Sequence, residues 1–269
     1  MTSAQTTPPL FIGVSLKMYF DHFQTLRWCE QVGTLAAQHP AIVSGAAELA
    51  VLPSFPALVP VSELLAGTPV KLGAQDIFWE DHGPFTGEVA GPYLREAGCS
   101  YAMMGHAERR RIFHEDNAIL TAKVAAAVRN DLTPILCVGE QEQLPVEQAA
   151  GVCILQLQAM LVPVLEAGYP RRVLVAYEPE WAIGAARPAP VSHISGVGLA
   201  VKQWLDAQDA LRGSQFIYGG SAGPGLLTEL GHAVDGLFLG RFAHDPEALR
   251  GILDECALLA DGSPPRVSR

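Results

Sequence analysis

Val173-Leu174-Val175-Ala176-Tyr177-Glu178-Pro179-Glu180-Trp181-Ala182-Ile183-Gly184 is the stretch on which the reading of this chain turns. Its first five residues are a short apolar run, which reads as a buried strand. The run delivers a carboxylate, Glu178, at its C-terminal end. Pro179 then ends the strand and stiffens the residues after it. A tryptophan, small residues and a glycine come next. A carboxylate at a strand end, beside a hinged lid, is what proton abstraction from a carbon acid needs: the base must be positioned and water must be shut out.

Seven further short apolar runs lie on either side, at residues 10–16, 47–52, 71–75, 101–104, 134–138, 215–218 and 236–239. Longer stretches with helical character separate them, such as 117–129, 146–165, 194–211 and 246–258. This spacing fits eight βα units rather than a hairpin meander. Eight such units in 269 residues predict an α/β fold, a single-domain (β/α)8 barrel over residues 10–260. The rival is an open doubly wound sheet, which periodicity alone does not exclude. The barrel is favoured because no GxGxxG follows the first strand, and because the polar residues of chemical interest fall at the C-terminal ends of several strands, where a barrel collects its site.

Composition narrows the function. The net charge of -10 argues against a nucleic-acid partner or an anionic membrane, and no run is read as a membrane span. Residues 1–9 are polar and lack the basic-then-apolar order of a signal peptide; they and residues 261–269 read as disordered tails. Five scattered cysteines with no CxxC pair fit a reducing cytoplasm, and they argue against a zinc site or a disulfide framework.

Five strand ends carry the chemistry. Lys17 follows the first run, His106 the fourth and Glu178 the sixth; Gly219-Gly220-Ser221 follows the seventh, and Gly240-Arg241 the eighth. Each has an ordinary alternative. A lysine near a strand end is usually solvated, a lone histidine is usually structural, and Gly-Gly is usually a turn. In a barrel, however, all five loops surround one mouth. Glycines after the seventh and eighth strands let backbone N–H groups approach an anion, in the usual phosphate site of a barrel. Glu178 can then remove a proton beside a carbonyl, His106 can polarise that carbonyl, and Lys17 can offset the charge of the enediolate and the phosphate. The sum is an enediol isomerase acting on a small sugar phosphate.

The ordered motifs resemble those of triosephosphate isomerases. They are Lys17-Met18, Gly73-Ala74-Gln75-Asp76, Phe85-Thr86-Gly87-Glu88, Gly105-His106 with Glu108-Arg109-Arg110, Cys137-Val138-Gly139-Glu140, the stretch around Glu178, Tyr218-Gly219-Gly220-Ser221, and Asp235-Gly236 with Gly240. The resemblance implies Glu178 as base, His106 as electrophile and Lys17 as the electrostatic residue. In triosephosphate isomerase that histidine is neutral and stands at a helix N-terminus. Glu108 is implied as a carboxylate near Lys17; its alternative is a first-turn acid that favours the helix dipole. Residues 179–187 are implied as the lid. Gly184, Ser221, Gly240 and Arg241 are implied as backbone donors to phosphate. No cofactor or metal is implied, and the loop around Phe85 is expected to pack into the second subunit of a homodimer.

Several positions depart from that pattern. Ser15 and Leu16 stand where the family has Asn and Trp, Ala107 where it has Ser, and Arg241 where it usually has Gly. Ala185-Ala186-Arg187-Pro188 replaces the usual lid ending. Base, electrophile and lysine all survive, so the changes touch what surrounds the substrate. This pattern resembles the branch of the family that isomerises four-carbon ketose phosphates, L-erythrulose 1-phosphate to D-erythrulose 4-phosphate. Ser15 would make room for the added hydroxymethyl group, and Arg241 would donate to the phosphate or to the extra hydroxyl. The alternatives are an ordinary triosephosphate isomerase, a sugar-phosphate sensor without turnover, and a different phosphate-binding barrel such as an aldolase or an indole-pathway enzyme. The intact Lys17, His106 and Glu178 argue against the sensor, and the absence of a Schiff-base lysine in 173–177 argues against the aldolase.

Overall fold

Strands β1 (Leu10–Ser15), β2 (Ala47–Leu52), β3 (Lys71–Ala74), β4 (Cys99–Met104), β5 (Thr133–Val138), β6 (Leu174–Tyr177), β7 (Gln215–Tyr218) and β8 (Gly236–Leu239) pair in chain order, and β8 returns to β1. Every pairing is parallel. The closure decides between the two architectures the sequence left open, in favour of the (β/α)8 barrel. The computed structural model describes residues 8–169, 172–185 and 187–261. Most of the two expected tails, residues 1–7 and 262–269, lies outside the described residues.

Helices cover the outside of the barrel. They are α1 (His22–Gln38), α2 (Pro40–Val43), α3 (Leu58–Leu64), α4 (Gly91–Glu96), α5 (Ala107–Ile112), α6 (Asn117–Arg129), α7 (Val146–Glu166), α8 (Val191–Asp206), α9 (Leu226–Leu230) and α10 (Pro246–Ala260). The stretch expected to be helical over 194–211 instead stops at Asp206, and a separate 3₁₀ turn follows at Asp209–Leu211. One expectation is corrected: α7 is apolar and long enough to cross a membrane by composition. In the fold it packs between α6 and α8 and against β5, and that burial accounts for its apolar face.

Side-chain alternation along each strand sorts the residues into two cores. Phe11, Leu52, Tyr101, Met103, Ile135, Leu174, Ile217 and Phe238 point inward and fill the barrel. Their neighbours, such as Ile12, Val14, Val51, Val175 and Leu237, point outward and pack under the helices. Burying a side chain of this size stabilises the fold by roughly 1.5–3 kcal/mol. At the seam between β8 and β1 only glycine fits. Gly236 has φ +147, and a Cβ there would sit 1.9 Å from the carbonyl oxygen of Phe11.

A buried charge cluster ties the connections after β3 and β4 to the helical layer. Lys123 Nζ of α6 lies 2.6 Å from both Asp76 and Glu115, and Arg109 of α5 reaches the same two carboxylates at 2.8 and 2.6 Å. Two cations meet two anions, so the cluster carries no net charge into the interior.

Candidate active site

The alternation that fills the barrel also aims the site. In β6 the inward residues are Leu174 and Ala176, so Glu178 continues the inward row at the C-terminal mouth. Ser15 continues the inward row of Phe11 in β1 in the same way. His106 does not follow this rule, since parity with Ala102 and Met104 would turn it outward. Gly105 has φ +78 and breaks the alternation, so the imidazole swings into the mouth. Lys17 also stands in the left-handed region, at φ 48. Such a backbone costs of order 1–3 kcal/mol and persists only when its surroundings hold it. Here Gln75 Nε2 donates to the Lys17 carbonyl at 3.0 Å and to the Leu52 carbonyl at 2.8 Å, and Lys17 Nζ donates to Glu108 Oε1 at 2.8 Å.

These groups meet in one cavity of about 510 Å³. All of the sequence-predicted site residues line it: Ser15, Lys17, His106, Glu108, Glu178, Gly184, Gly219, Gly220, Ser221, Gly240 and Arg241. At its floor, Glu178 is 4 % exposed and His106 3 %. His106 Nε2 lies 3.2 Å from Glu178 Oε2, yet that oxygen has no aligned hydrogen-bond partner. Burial pushes the Glu178 carboxyl above the ordinary range, and the Lys17 charge and the facing His106 ring only partly offset this. His106 caps α5: its Nδ1 accepts the backbone N–H of Glu108 at 3.1 Å. An accepting Nδ1 leaves the ring proton on Nε2, which faces the cavity. The ring is thus set as a neutral donor toward the reacting oxygen.

Glu108 resolves its two readings by taking both roles. It stands in the first turn of α5 and bonds Lys17 across the mouth. Burial works against its charge, but the Lys17 hydrogen bond and the neighbouring positive charges outweigh it and hold the carboxyl below the ordinary range.

Gly219 serves differently from the other loop glycines. Its N–H donates to the Tyr177 carbonyl at 2.8 Å, continuing the ladder. A Cβ on Gly219 would come 2.7 Å from Glu178 Cγ and 2.9 Å from Oε1, so the missing side chain makes room for the carboxylate. The lid residues lie against the loop after β7. Ser221 Oγ donates to the carbonyls of Ala182 and Ala185 at 3.2 and 2.8 Å, and the Ala189 N–H donates to Tyr218 Oη at 3.1 Å. Behind the lid, Trp181 Nε1 donates to Glu140 Oε1 at 2.8 Å, and the same carboxylate takes the Tyr177 hydroxyl. One residue of the expected lid, Ala186, lies outside the described residues.

Several residues near the site escaped the sequence reading, Phe238, Cys137 and Tyr19 among them. Phe238 lines the cavity, and Cys137 Sγ stands 3.7 Å beneath Glu178 Oε1. Strand parity could have found both, because each continues an inward row. Tyr19 also lines the cavity, but it sits in a loop after β1 where no periodic signal exists. Of the departures from the family pattern, Ser15 is 3 % exposed and its Oγ has no hydrogen-bond partner. Leu16 points outward into the core under the helices. Ala107 borders a small void together with Glu178 and Cys137.

A buried carboxylate facing a neutral imidazole, with a lysine and a glycine-lined rim in one barrel mouth, defines an isomerase that moves a carbonyl on a sugar phosphate through an enediolate. The triosephosphate isomerase family model matches residues 10–256, and the chain belongs to that family. Among its relatives, the L-erythrulose-1-phosphate isomerase of Pectobacterium atrosepticum is 52 % identical over 251 residues, covering 93 % of this chain and 97 % of that protein. The L-erythrulose-1-phosphate isomerase of Brucella melitensis is 39 % identical, over 77 % of this chain and 82 % of that protein. The triosephosphate isomerase of Moorella thermoacetica is 36 % identical, over 80 % of this chain and 88 % of that protein.

Proposed function

We propose that this chain interconverts L-erythrulose 1-phosphate and D-erythrulose 4-phosphate. The observation that carries the chemistry is the pairing of Glu178, buried and without an aligned hydrogen bond on Oε2, with His106 Nε2 at 3.2 Å. Glu178 takes the proton from the hydroxyl-bearing carbon beside the carbonyl. Electron density moves onto the carbonyl oxygen, where the His106 N–H meets it, and an enediolate forms. Lys17 lowers the cost of its negative charge. Protons then shift between the two enediol oxygens through His106, and Glu178 returns its proton to the other carbon. The carbonyl has moved by one carbon, and no atom is gained or lost.

The choice of a four-carbon substrate is supported by Ser15 and by the relatives so named. Ser15 presents a small, unpartnered hydroxyl beside the reacting groups, which leaves room for a hydroxymethyl group that a carboxamide would crowd. The experiment is kcat/KM on L-erythrulose 1-phosphate and on dihydroxyacetone phosphate, for the wild type and Ser15→Asn. The substitution is expected to cost the four-carbon substrate roughly 10–200-fold and to spare the three-carbon one. A wild type that turns over only dihydroxyacetone phosphate is an ordinary triosephosphate isomerase, and the four-carbon reading falls.

The same reading includes a homodimer in the cytoplasm. Support for the compartment comes from the cysteines, all five of which are free thiols in the interior. Support for the dimer comes from the exposed loop at Phe85-Thr86-Gly87-Glu88 and from Met18, which is 93 % exposed.

A further inference from the structure

We infer that Tyr19 is a positioning residue that holds the Arg241 guanidinium across the rim of the cavity, where it takes the phosphate of the substrate rather than the hydroxyl on its reacting carbon. The inference rests on the proposal that a sugar phosphate binds in this cavity.

The first support is contact. Arg241 Cζ lies over the face of the Tyr19 ring, 5.8 Å from its centroid. His244 meets the same ring edge-on at 5.4 Å and leans on Phe20 at 4.4 Å, so the ring that carries the guanidinium is itself braced. Burial and the neighbouring Arg241 hold the His244 pKa below its ordinary value, and the imidazole therefore adds no competing cation.

The second support is charge. Lys17 is already paired with Glu108 at 2.8 Å. Among the described residues, no carboxylate pairs with Arg241. An anion entering the mouth therefore meets a guanidinium whose planar fork of donors is not neutralised, and such a fork matches the oxygens of a phosphate.

The third support is depth. Glu178 and His106, which must touch the reacting carbon and its carbonyl, are buried at the floor, whereas Arg241 and Gly184 are exposed at the rim. A Cβ on Gly184 would lie 3.9 Å from Arg241 Nη2, so the guanidinium stands where the lid meets the 3₁₀ turn Arg241–His244. The far end of the substrate from the reacting carbon is its phosphate.

The test is calorimetric titration with inorganic phosphate of the wild type, Arg241→Met, Tyr19→Leu and Tyr19→Phe, followed by kinetics on three- and four-carbon ketose phosphates. Both side chains are exposed, so the variants fold, and thermal unfolding checks it. Arg241→Met is expected to weaken phosphate binding about tenfold or more, the size of a charge-assisted hydrogen bond. Tyr19→Leu is expected to weaken it about two- to fivefold, and Tyr19→Phe to restore it, because the ring face and not the hydroxyl aims the guanidinium. In kinetics, Arg241→Met and Tyr19→Leu should raise KM more than they lower kcat, equally for both substrates. Wild-type phosphate affinity in Arg241→Met overturns the inference, as does a loss confined to the four-carbon substrate or a Tyr19→Phe variant as weak as Tyr19→Leu. A wild type that binds no phosphate strikes instead at the sugar-phosphate reading on which the inference rests.

Discussion

Glu178 is kept where a carboxylate is uncomfortable. It is 4 % exposed, and its Oε2 has no hydrogen bond. Burial raises its pKa above the ordinary carboxylate value. A base of raised pKa is a better proton acceptor at neutral pH, so the discomfort has a use. It also has a cost in stability. Because the folded-state pKa lies above the unfolded one, the folded state binds more protons in the window between the two values. Stability therefore falls as pH rises through that window, and the loss is complete above the folded pKa. Glu178→Gln keeps the shape and removes the charge. It is expected to lower kcat by about 10²–10⁴-fold. It is also expected to make the fold more stable than wild type at neutral pH, with the gain shrinking as pH falls through that window and gone below the ordinary carboxylate value. Turnover assays and urea unfolding at neutral and acid pH measure both. Near wild-type turnover, or a variant less stable at neutral pH, would show that Glu178 is not a strained base.

At the scale of elements, the site is built by strands that aim and loops that yield. The inward rows of β1 and β6 lead directly to Ser15 and Glu178, while a left-handed residue is needed to bring in His106. The loop after β7 is then shaped around the Glu178 carboxylate. Gly219→Ala asks for no unusual backbone, but its Cβ would stand 2.7 Å from Glu178 Cγ. The carboxylate must move, and a displacement near 1 Å of a catalytic group can cost on the order of 10²-fold. The expected result is a large fall in kcat with KM for the substrate and the unfolding midpoint close to wild type. A variant that turns over normally would show that the base tolerates displacement, and the proposed role of this glycine would fail. The requirement was invisible in the sequence as packing: Gly219-Gly220 read as a phosphate loop, because contact between β6 and β7 side chains depends on register.

For the whole molecule, ion pairs gather three loops on one side of the mouth. Lys17–Glu108 joins the segment after β1 to α5, and Arg109–Asp76 joins α5 to the segment after β3. These segments and their neighbours leave Met18, Phe113 and Phe85 exposed at 93 %, 59 % and 39 %. The proposed homodimer would cover these residues, as a contiguous apolar patch is covered at an interface. The proposed homodimer predicts that the protein sediments at twice the chain mass at micromolar concentration. Met18→Glu places a charge where the lone chain is already solvated, so it should leave the fold intact and shift the mass toward the monomer. A wild type that runs as a monomer at tens of micromolar removes the dimer.

The sequence by itself determined the strand–helix alternation and the chemical inventory at the strand ends, because hydrophobic patterning and chain order are local properties. It was enough to place Lys17, His106 and Glu178 at the mouth of a barrel. Only the tertiary structure decided that the sheet closes, since Phe11 meets Gly236 across a separation no local pattern records. Only it oriented the His106 ring through the Glu108 N–H and laid Arg241 on Tyr19. Each of these depends on where independent loops come to rest around a common axis, and that position is set by packing of the whole barrel rather than by any stretch of the chain.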